Sequence, residues 1–429
     1  MNKYLLFVIL GLCLHGYLAF GQLTIETCQE KARNNYPQIK QYGLIEQSEA
    51  YSLSNANKGY LPQVVFSAQA TYQSDVTAIP EGLSDILSQM TGQKVEIASI
   101  EKDQYKVVAD VNQIVWDGGV IRSQKENIKA SSEIEKQKLE VDLYTIKDRV
   151  NQLFFGILAL NELITQTDLL QKELQINYDK VQAYIQNGVA NQSDADIIRV
   201  EQLKANQRKA ELLATQKSYK EMLSAMIGDN SVVADSLVKP GYNSFKNELS
   251  NNRPELKLFE AQTNFYSSQE SIIKSGSLPK VGLFAQGGYG NPGLNMFEPG
   301  FTPYYILGAR LSWNIASLYT QKNNLSKIAI SKQNIDIQKE TFLYNTNLKI
   351  SQQDNEIEKI KKLIKNDDEI IELRSRIKKT AEVKVDQGTL TVTDLIREIN
   401  AENSAIAEKT LHEINLLLAV YNLKNTTNN

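Results

Sequence analysis

Two stretches of this 429-residue chain repeat one another, and no other feature of the sequence constrains its fold as tightly. Pro37-Gln38-Ile39-Lys40 returns as Pro254-Glu255-Leu256-Lys257, and Leu61-Pro62-Gln63-Val64 as Leu278-Pro279-Lys280-Val281. Ala68-Gln69 with Tyr72 returns as Ala285-Gln286 with Tyr289, again 217 positions later. A second block, Gly188 with Asp194, returns after 200 positions as Gly388 with Asp394. The first half therefore holds 17 extra residues (217 − 200). They fall between Tyr72 and Tyr105, where Pro80, Gly82, Gly92 and many polar residues predict a longer surface loop.

Each half reads as helix, strand, loop, strand, very long helix, turn, helix. In the first long helix Leu143, Ile146, Val150, Leu153, Ile157, Leu160 and Ile164 alternate steps of three and four. The pattern lapses at Thr167 and Gln171 and resumes at Leu174, Tyr178, Val181 and Ile185. The second has Leu343, Ile350, Ile357, Ile364 and Ile371, seven apart. Sustained sevens predict coiled-coil-like packing. Gly118 to Gly188 is 70 residues. As helix that is roughly 105 Å at about 1.5 Å per residue, more than twice the roughly 40–45 Å of a whole bilayer. Its faces carry many Lys, Glu, Asn and Gln, so the rod belongs in water.

Four segments alternate with period two. Val64, Phe66, Ala68, Ala70 and Tyr72 share a face opposite Gln63, Ser67, Gln69 and Thr71; Tyr105, Val107, Ala109 and Val111 oppose Lys106, Asp110 and Asn112. Val281, Leu283, Ala285 and Tyr289 oppose Lys280 and Gln286; Tyr305, Leu307, Ala309, Leu311 and Trp313 oppose Gly308, Arg310, Ser312 and Asn314. Strands of about 10–13 residues cross a membrane at a tilt, with aromatics near their ends at the interfaces. Phe66, Tyr72, Tyr305 and Trp313 are the candidate lipid-facing aromatics. A half-buried soluble sheet alternates too, so the signal lies in its fourfold recurrence behind a secretory start. Four strands cannot close a barrel, whose smallest membrane form uses about eight, and open edges in hydrocarbon cost several kcal/mol per unpaired group. Several chains must pool their strands.

The start reads as a signal peptide over 1–21: Lys3, the apolar Leu5 to Leu14, and Ala19-Phe20-Gly21 before Gln22. Cys13 follows Leu10-Gly11-Leu12, without the small residue that a lipidation site wants before its cysteine. Beyond residue 21 no apolar run is expected to span a membrane as a helix. Without Lys3 the balance is 46 basic to 50 acidic residues, which gives no support for nucleic-acid binding. Cys28 and His412 are then the sole cysteine and histidine, too few for a disulfide, a catalytic pair or a metal cluster. Gly287-Gly288-Tyr289-Gly290 lacks the Lys-Ser/Thr of a phosphate loop and reads as a small-residue strand end. Asp367-Asp368 is expected on a solvated helix face. No enzyme and no cofactor are expected.

In this order and spacing, the chain resembles the TolC family of outer-membrane efflux and secretion channels. The residues that carry the resemblance are Leu23 to Ile25, Asn34-Asn35-Tyr36-Pro37 echoed by Asn252-Arg253-Pro254, and the Leu-Pro before each first strand. Gln113-Ile114-Val115-Trp116-Asp117-Gly118-Gly119, its partner Leu311-Ser312-Trp313-Asn314-Ile315, and the two Gly-turn-Asp segments complete the set. The resemblance covers the mature chain. It implies a mostly α protein with membrane β: a homotrimer pooling twelve strands into one outer-membrane barrel among lipid, above an α-helical tunnel in the periplasm. The expected division is a first repeat over 22–228 (strands ~62–74 and ~104–116, helices ~118–187 and ~193–227), an equatorial linker over 229–251, a second repeat over 252–422 (helix ~253–277, strands ~279–290 and ~303–315, helices ~317–387 and ~392–422) and a tail over 423–429.

Cargo then passes through passively, driven by an inner-membrane transporter joined through a periplasmic adaptor. A small-molecule efflux duct and a type I protein-secretion duct are built alike; a periplasmic or surface coiled-coil protein explains the helices but not the strands. Gly188 and Gly388 fall at the helix turns that would meet the adaptor, where positive φ is needed. By resemblance Asp394 matches the family's aperture acid and Asp194 its counterpart, so three copies of Asp394 would form a carboxylate ring. Both acids, beside Ser193 and Thr393, also suit the first turn of a helix. Arg397 stands where a second acid can occur, and Val385 and Leu390 where charged and aromatic residues can tie helices shut.

Overall fold

A computed structural model describes residues 23–77, 80, 82–95, 100–230, 237–241, 251–298 and 300–428. The signal-peptide reading and Cys13 lie outside these residues, as does most of 229–251. The elements in chain order are α1 (Ile25–Asn35), a 3-10 turn (Pro37–Lys40), α2 (Gln41–Asn57), a 3-10 turn (Lys58–Tyr60), β1 (Gln63–Tyr72), α3 (Leu83–Thr91) and β2 (Asp103–Trp116). Then come α4 (Val120–Tyr144), α5 (Ile146–Gln186), α6 (Gln192–Ile227), α7 (Pro254–Gly276), β3 (Lys280–Asn291), β4 (Thr302–Ser312), α8 (Ala316–Asp386) and α9 (Val392–Thr427). The chain divides into two compact units, Gly43–Lys136 with Phe259–Ile337, and Met1–Tyr42 with Gln137–Leu258 and Gln338–Asn429.

The first of these units holds one antiparallel sheet in the order β1-β2-β3-β4. Its register sorts the side chains by face, because directly paired residues point the same way. Phe66 pairs with Ala109, Val107 with Tyr289, and Ala285 with Leu307, so one face is apolar across all four strands. Among the described residues that face is largely uncovered: Phe66, Tyr72 and Tyr305 are 78%, 75% and 76% exposed, and Phe301 stacks on Tyr289 at one end, 5.5 Å between ring centres. The opposite face carries Gln63, Gln69, Lys106, Asp110, Gln286 and Arg310, with Asp110 Oδ1 accepting from Gln286 Nε2 at 2.7 Å. Two glycines there seat cross-strand rings: Gly288 lies opposite Tyr304 and Gly308 opposite Phe284, and a Cβ would meet those rings at 2.3 and 2.8 Å. β1 and β4 are the edges, each paired on one side. Asp117 turns β2 into α4: its carboxylate accepts from the N–H of Gly119 at 2.8 Å and of Ile121 at 2.6 Å, with Gly118 and Gly119 at positive φ. Trp313 lies just past β4, and its indole N–H donates to the Ser277 carbonyl at 3.0 Å. The expected loop after Tyr72 includes a helix, α3, begun at Gly82 and closed by Gly92, both left-handed.

The other unit is helical. Phe154, Phe155, Ile157 and Val150 of α5 are wholly buried, with α1, α6 and α9 packed on α5 and the Phe155 and Tyr421 rings 5.3 Å apart. The stretch 120–186 contains a window apolar enough to cross a membrane, contrary to expectation. A core helix passes the same test, and these four residues lie in such a core. The long helix expected over 118–187 runs from Val120 to Gln186 with one irregular turn at Thr145, which keeps right-handed helical backbone between α4 and α5. There the Thr145 hydroxyl and backbone N–H both turn to the Asp142 carbonyl, at 2.8 and 3.2 Å. That i−3 bonding competes with the α-helical ladder. The second long helix, α8, runs unbroken for 71 residues.

Around this turn the end of α9 meets the residues just before α7. The Tyr144 hydroxyl donates to the Asn425 carbonyl at 2.5 Å, the Arg253 guanidinium lies 4.7 Å from the Tyr144 ring centre, and Asn425 bonds Asp148. Lys147 donates to Asn428 at 3.1 Å, and the Asn252 N–H to the Thr427 carbonyl at 2.9 Å. These partners bury Asn425, Thr426 and Thr427, so α9 continues to Thr427 where a tail from 423 was expected. A second correction concerns Asp367-Asp368. Asp367 shares the inward row of Thr346, Ile360 and Ala381, is buried, and meets His412 Nδ1 at 2.6 Å; Asp368 pairs with Lys409 at 2.5 Å.

Candidate aperture at the helix tips

Both expected tip glycines sit at the tips. Gly188 and Gly388 have φ of +71° and +69°. At the first tip the Gly188 N–H reaches the Ile185 carbonyl at 3.0 Å and the Val189 N–H the Tyr184 carbonyl at 2.9 Å. At the second, Gly388 reaches Val385 and Thr389 reaches Lys384, each at 2.9 Å. This paired 6→1 and 5→2 bonding is the Schellman ending, which needs a left-handed residue where glycine stands. The two turns are built alike.

The returning helices start differently. At the head of α6 the Asp194 carboxylate accepts from the Asn191 backbone N–H at 3.0 Å. At the head of α9 Thr391 is the N-cap, its hydroxyl accepting from the Asp394 N–H at 3.1 Å and donating to the Asp394 carboxylate at 2.7 Å. Arg397 adds an ion pair to Asp394 at 2.8 Å. The Thr391 hydroxyl and the Arg397 charge hold the Asp394 carboxyl below its ordinary 3.8. Both acids thus occupy the first turn of a helix, where a carboxylate also meets the positive end of the helix dipole. Beside Asp394 lies an open groove of about 620 Å³ between α8 and α9. Leu373, Ile377 and Leu390 line it together with Arg376, Lys384, Arg397 and Glu398.

Beneath the tips Ile198, Leu174, Val181, Ile396 and Ile399 form an apolar core, with Val385 and Leu390 half-buried against it. Around it runs a set of charged ties that the sequence did not single out. Asp386 bonds Lys180 and accepts from the Tyr184 hydroxyl at 3.0 Å, joining α5 to α8. The Lys180 bond is the chief cause of its lowered carboxyl pKa. Lys378 pairs with Glu173 at 2.8 Å and with Glu402, joining α8 to α5 and α9. Burial works against the Lys378 charge, but the two carboxylates outweigh it and raise its pKa. On helices dense in Lys and Glu, no spacing marks which charges meet. Among the described residues no group of three or more His, Cys, Asp or Glu is placed to hold a metal.

No protein-family model matches the chain. No curated protein sequence matches it either. Solved structures do match, over nearly its whole length. The outer-membrane channel OprN superposes with a TM-score of 0.67 at 12% identity, covering 94% of this chain and 89% of its own. The outer-membrane protein VceC of Vibrio cholerae gives 0.65 at 12%, covering 94% of each chain. CusC, described in terms of transmembrane channel formation, gives 0.68 at 10%, covering 95% of this chain and 92% of its own. At such identities the likeness speaks for the fold.

Proposed function

We propose that this chain, which carries the fold of the TolC-type outer-membrane channels, is one of three subunits of a passive exit duct in the outer membrane of a Gram-negative cell. Three copies pool twelve strands into one barrel, and their long helices line a periplasmic tunnel. An inner-membrane transporter drives small molecules in through a periplasmic adaptor that meets the tips at Gly188 and Gly388. Residues 1–21 are removed on export, and 229–251 serve as the equatorial linker between two repeats, 22–228 and 252–422.

The observation that carries this reading is the sheet. Among the described residues its apolar face is largely exposed across four strands, and both its edges are unpaired. In water such a face is an aggregation hazard; in lipid it is the outer wall, with Phe66, Tyr72, Tyr305 and Trp313 at the interfaces. The four strands alternate in direction, so β4 of one copy meets β1 of the next in the antiparallel sense used within the chain. Nothing in this arrangement is catalytic. At the tips Asp394 from each copy forms a carboxylate ring at the aperture, with Asp194 and Arg397 beside it, while still closing its own helix cap.

Native mass in mild detergent, corrected for bound detergent, tests the assembly, and planar-bilayer conductance tests the duct. A mass near three chains with conducting pores is expected, and Asp394→Asn is expected to reduce cation preference. A monodisperse monomer that needs no detergent would overturn the reading. A mass near two chains would overturn the trimer alone.

A further inference from the structure

The polar face of the sheet is unevenly charged, and the register shows how. Its charged residues are Lys106, Asp110, Lys280 and Arg310. The one acid, Asp110, is engaged by Gln286 at 2.7 Å. The cations are not matched by acids. Lys280 pairs with Ser312 and Arg310 with Gly282, so the two lie diagonally across neighbouring strands at one end of the sheet. The polar-face residues of β1 and β2 at that end are Gln63, Asn112 and Ile114, none of them acidic.

Arg310 is also held in place. Its guanidinium carbon lies 4.8 Å from the centre of the Phe284 ring, and that ring rests over Gly308, the only size of residue that leaves it room. A guanidinium stacked on an aromatic face keeps its charge and its N–H donors directed outward. In an ordinary solvated sheet face, charges of both signs mix. Here two cations, Arg310 held by its ring stack and Lys280 beside it, sit together with no acid next to them among the described residues.

We propose that Lys280 and Arg310 form an anion-binding belt inside the barrel, at its junction with the helices, which favours passage of negatively charged solutes, polyanions above all. The proposal rests on the duct reading, since pooling three copies is what brings six cations around one lumen. Rings of Lys and Arg select anions in pores. Salt screens exposed charges over about 8–10 Å, so the belt acts most strongly on multivalent anions at low ionic strength. It is separate from the aperture acids, which belong to the other unit of the chain.

The test is inorganic tripolyphosphate, added at millimolar level to the barrel side of purified protein in planar bilayers. Expected is a voltage-dependent block of the wild-type current that weakens as salt rises. K280Q/R310Q should lose that block by tenfold or more in tripolyphosphate concentration, whereas D394N should keep it. The charge-reversed K280E/R310E should be blocked by spermine instead, and its conductance itself reports folding. Wild-type pores indifferent to tripolyphosphate, or a block unchanged in K280Q/R310Q, would overturn the belt and leave the duct intact. Wild-type protein that never conducts would instead overturn the duct.

Discussion

The two long helices follow one sequence plan, yet they are covered very differently. Phe155 of α5 is completely buried, while 200 positions on Asn355 of α8 is exposed. Leu170 packs against the tip core; its counterpart Ile370 is 45% exposed. Each helix has an inward seam, with Thr346, Ile357, Ile360 and Ala381 buried along α8. Beyond its seam α8 shows a second row at sevens, Leu363, Ile370 and Ile377, each left 37–47% exposed. A single chain covers α5 around Phe154 and Phe155, through α1, α6 and α9, and leaves Leu169 and Ile176 of the same helix exposed. On α8 it leaves rows at sevens open, Ile330, Ile337 and Tyr344 as well as Leu363, Ile370 and Ile377, and a heptad stripe is the shape of a helix partner. Internal repetition fixed the period of both helices, and divergence decided how much of each the chain covers itself.

That contrast can be broken first at the open stripe. Ile370→Lys with Ile377→Lys puts two charges where a neighbouring helix is expected and leaves the subunit core untouched. The proposed three-chain species should give way to single chains in detergent, with helical circular dichroism unchanged. Retention of the trimer would show that the stripe faces solvent. In the covered helix the effect falls on stability instead. Phe155→Ala should cost about 3–5 kcal/mol as a large-to-small core change, read as a lower denaturation midpoint of the helical signal. Asn355→Ala, on an exposed face, should stay within about 0.5 kcal/mol. Equal effects at the two positions would mean that the helices are covered alike.

At the tips the comparison reverses, because the two turns match. Gly188→Ala and Gly388→Ala each force a side chain into the left-handed region, costing about 1–2 kcal/mol. Neither Cβ would meet another atom within 4 Å, so the strain is purely conformational. The two variants should lose similar stability in thermal unfolding. A large difference would show that one tip carries a load that the other does not.

Period and punctuation were legible in the sequence, and partners were not. The alternation of Val64 to Tyr72 and of Tyr305 to Leu311 located the strands to within a few residues, because each face sees a single environment. Gly188 and Gly388 marked the tips because only a left-handed ending calls for glycine there. Asp367 escaped, since a carboxylate on a helix rich in Lys and Glu reads as solvated until its row is seen to be the seam facing His412. The continuation of α9 to Thr427 also depends on contacts from distant parts of the chain, Asn425 onto Asp148 and Asn252 onto Thr427. The ties of Lys378 and Asp386 are likewise choices among many equivalent charges. Tertiary packing makes those choices, and periodicity carries no record of them.

The smallest effect should come from the one point where the matched tips diverge. Asp394 has Arg397 one helical turn on, whereas Ile197 stands in the corresponding place after Asp194. The Asp394 carboxyl is held below 3.8, first by the Thr391 hydroxyl and then by Arg397. A carboxyl depressed in the folded state adds stability above its unfolded pKa and loses it as pH falls through the folded value. Wild type should therefore melt above D394N from neutral pH down to about pH 4, an ordinary aspartate's range, and the two curves should converge below it. R397Q should narrow that gap without closing it, because the Thr391 bond remains. Thermal midpoints of the three proteins between pH 3 and pH 7 decide the matter. A gap that persists unchanged into acid would mean that Asp394 stabilises its tip by shape and hydrogen bonding alone, as a neutral side chain does, and the second tip would then differ from the first in sequence but not in electrostatics.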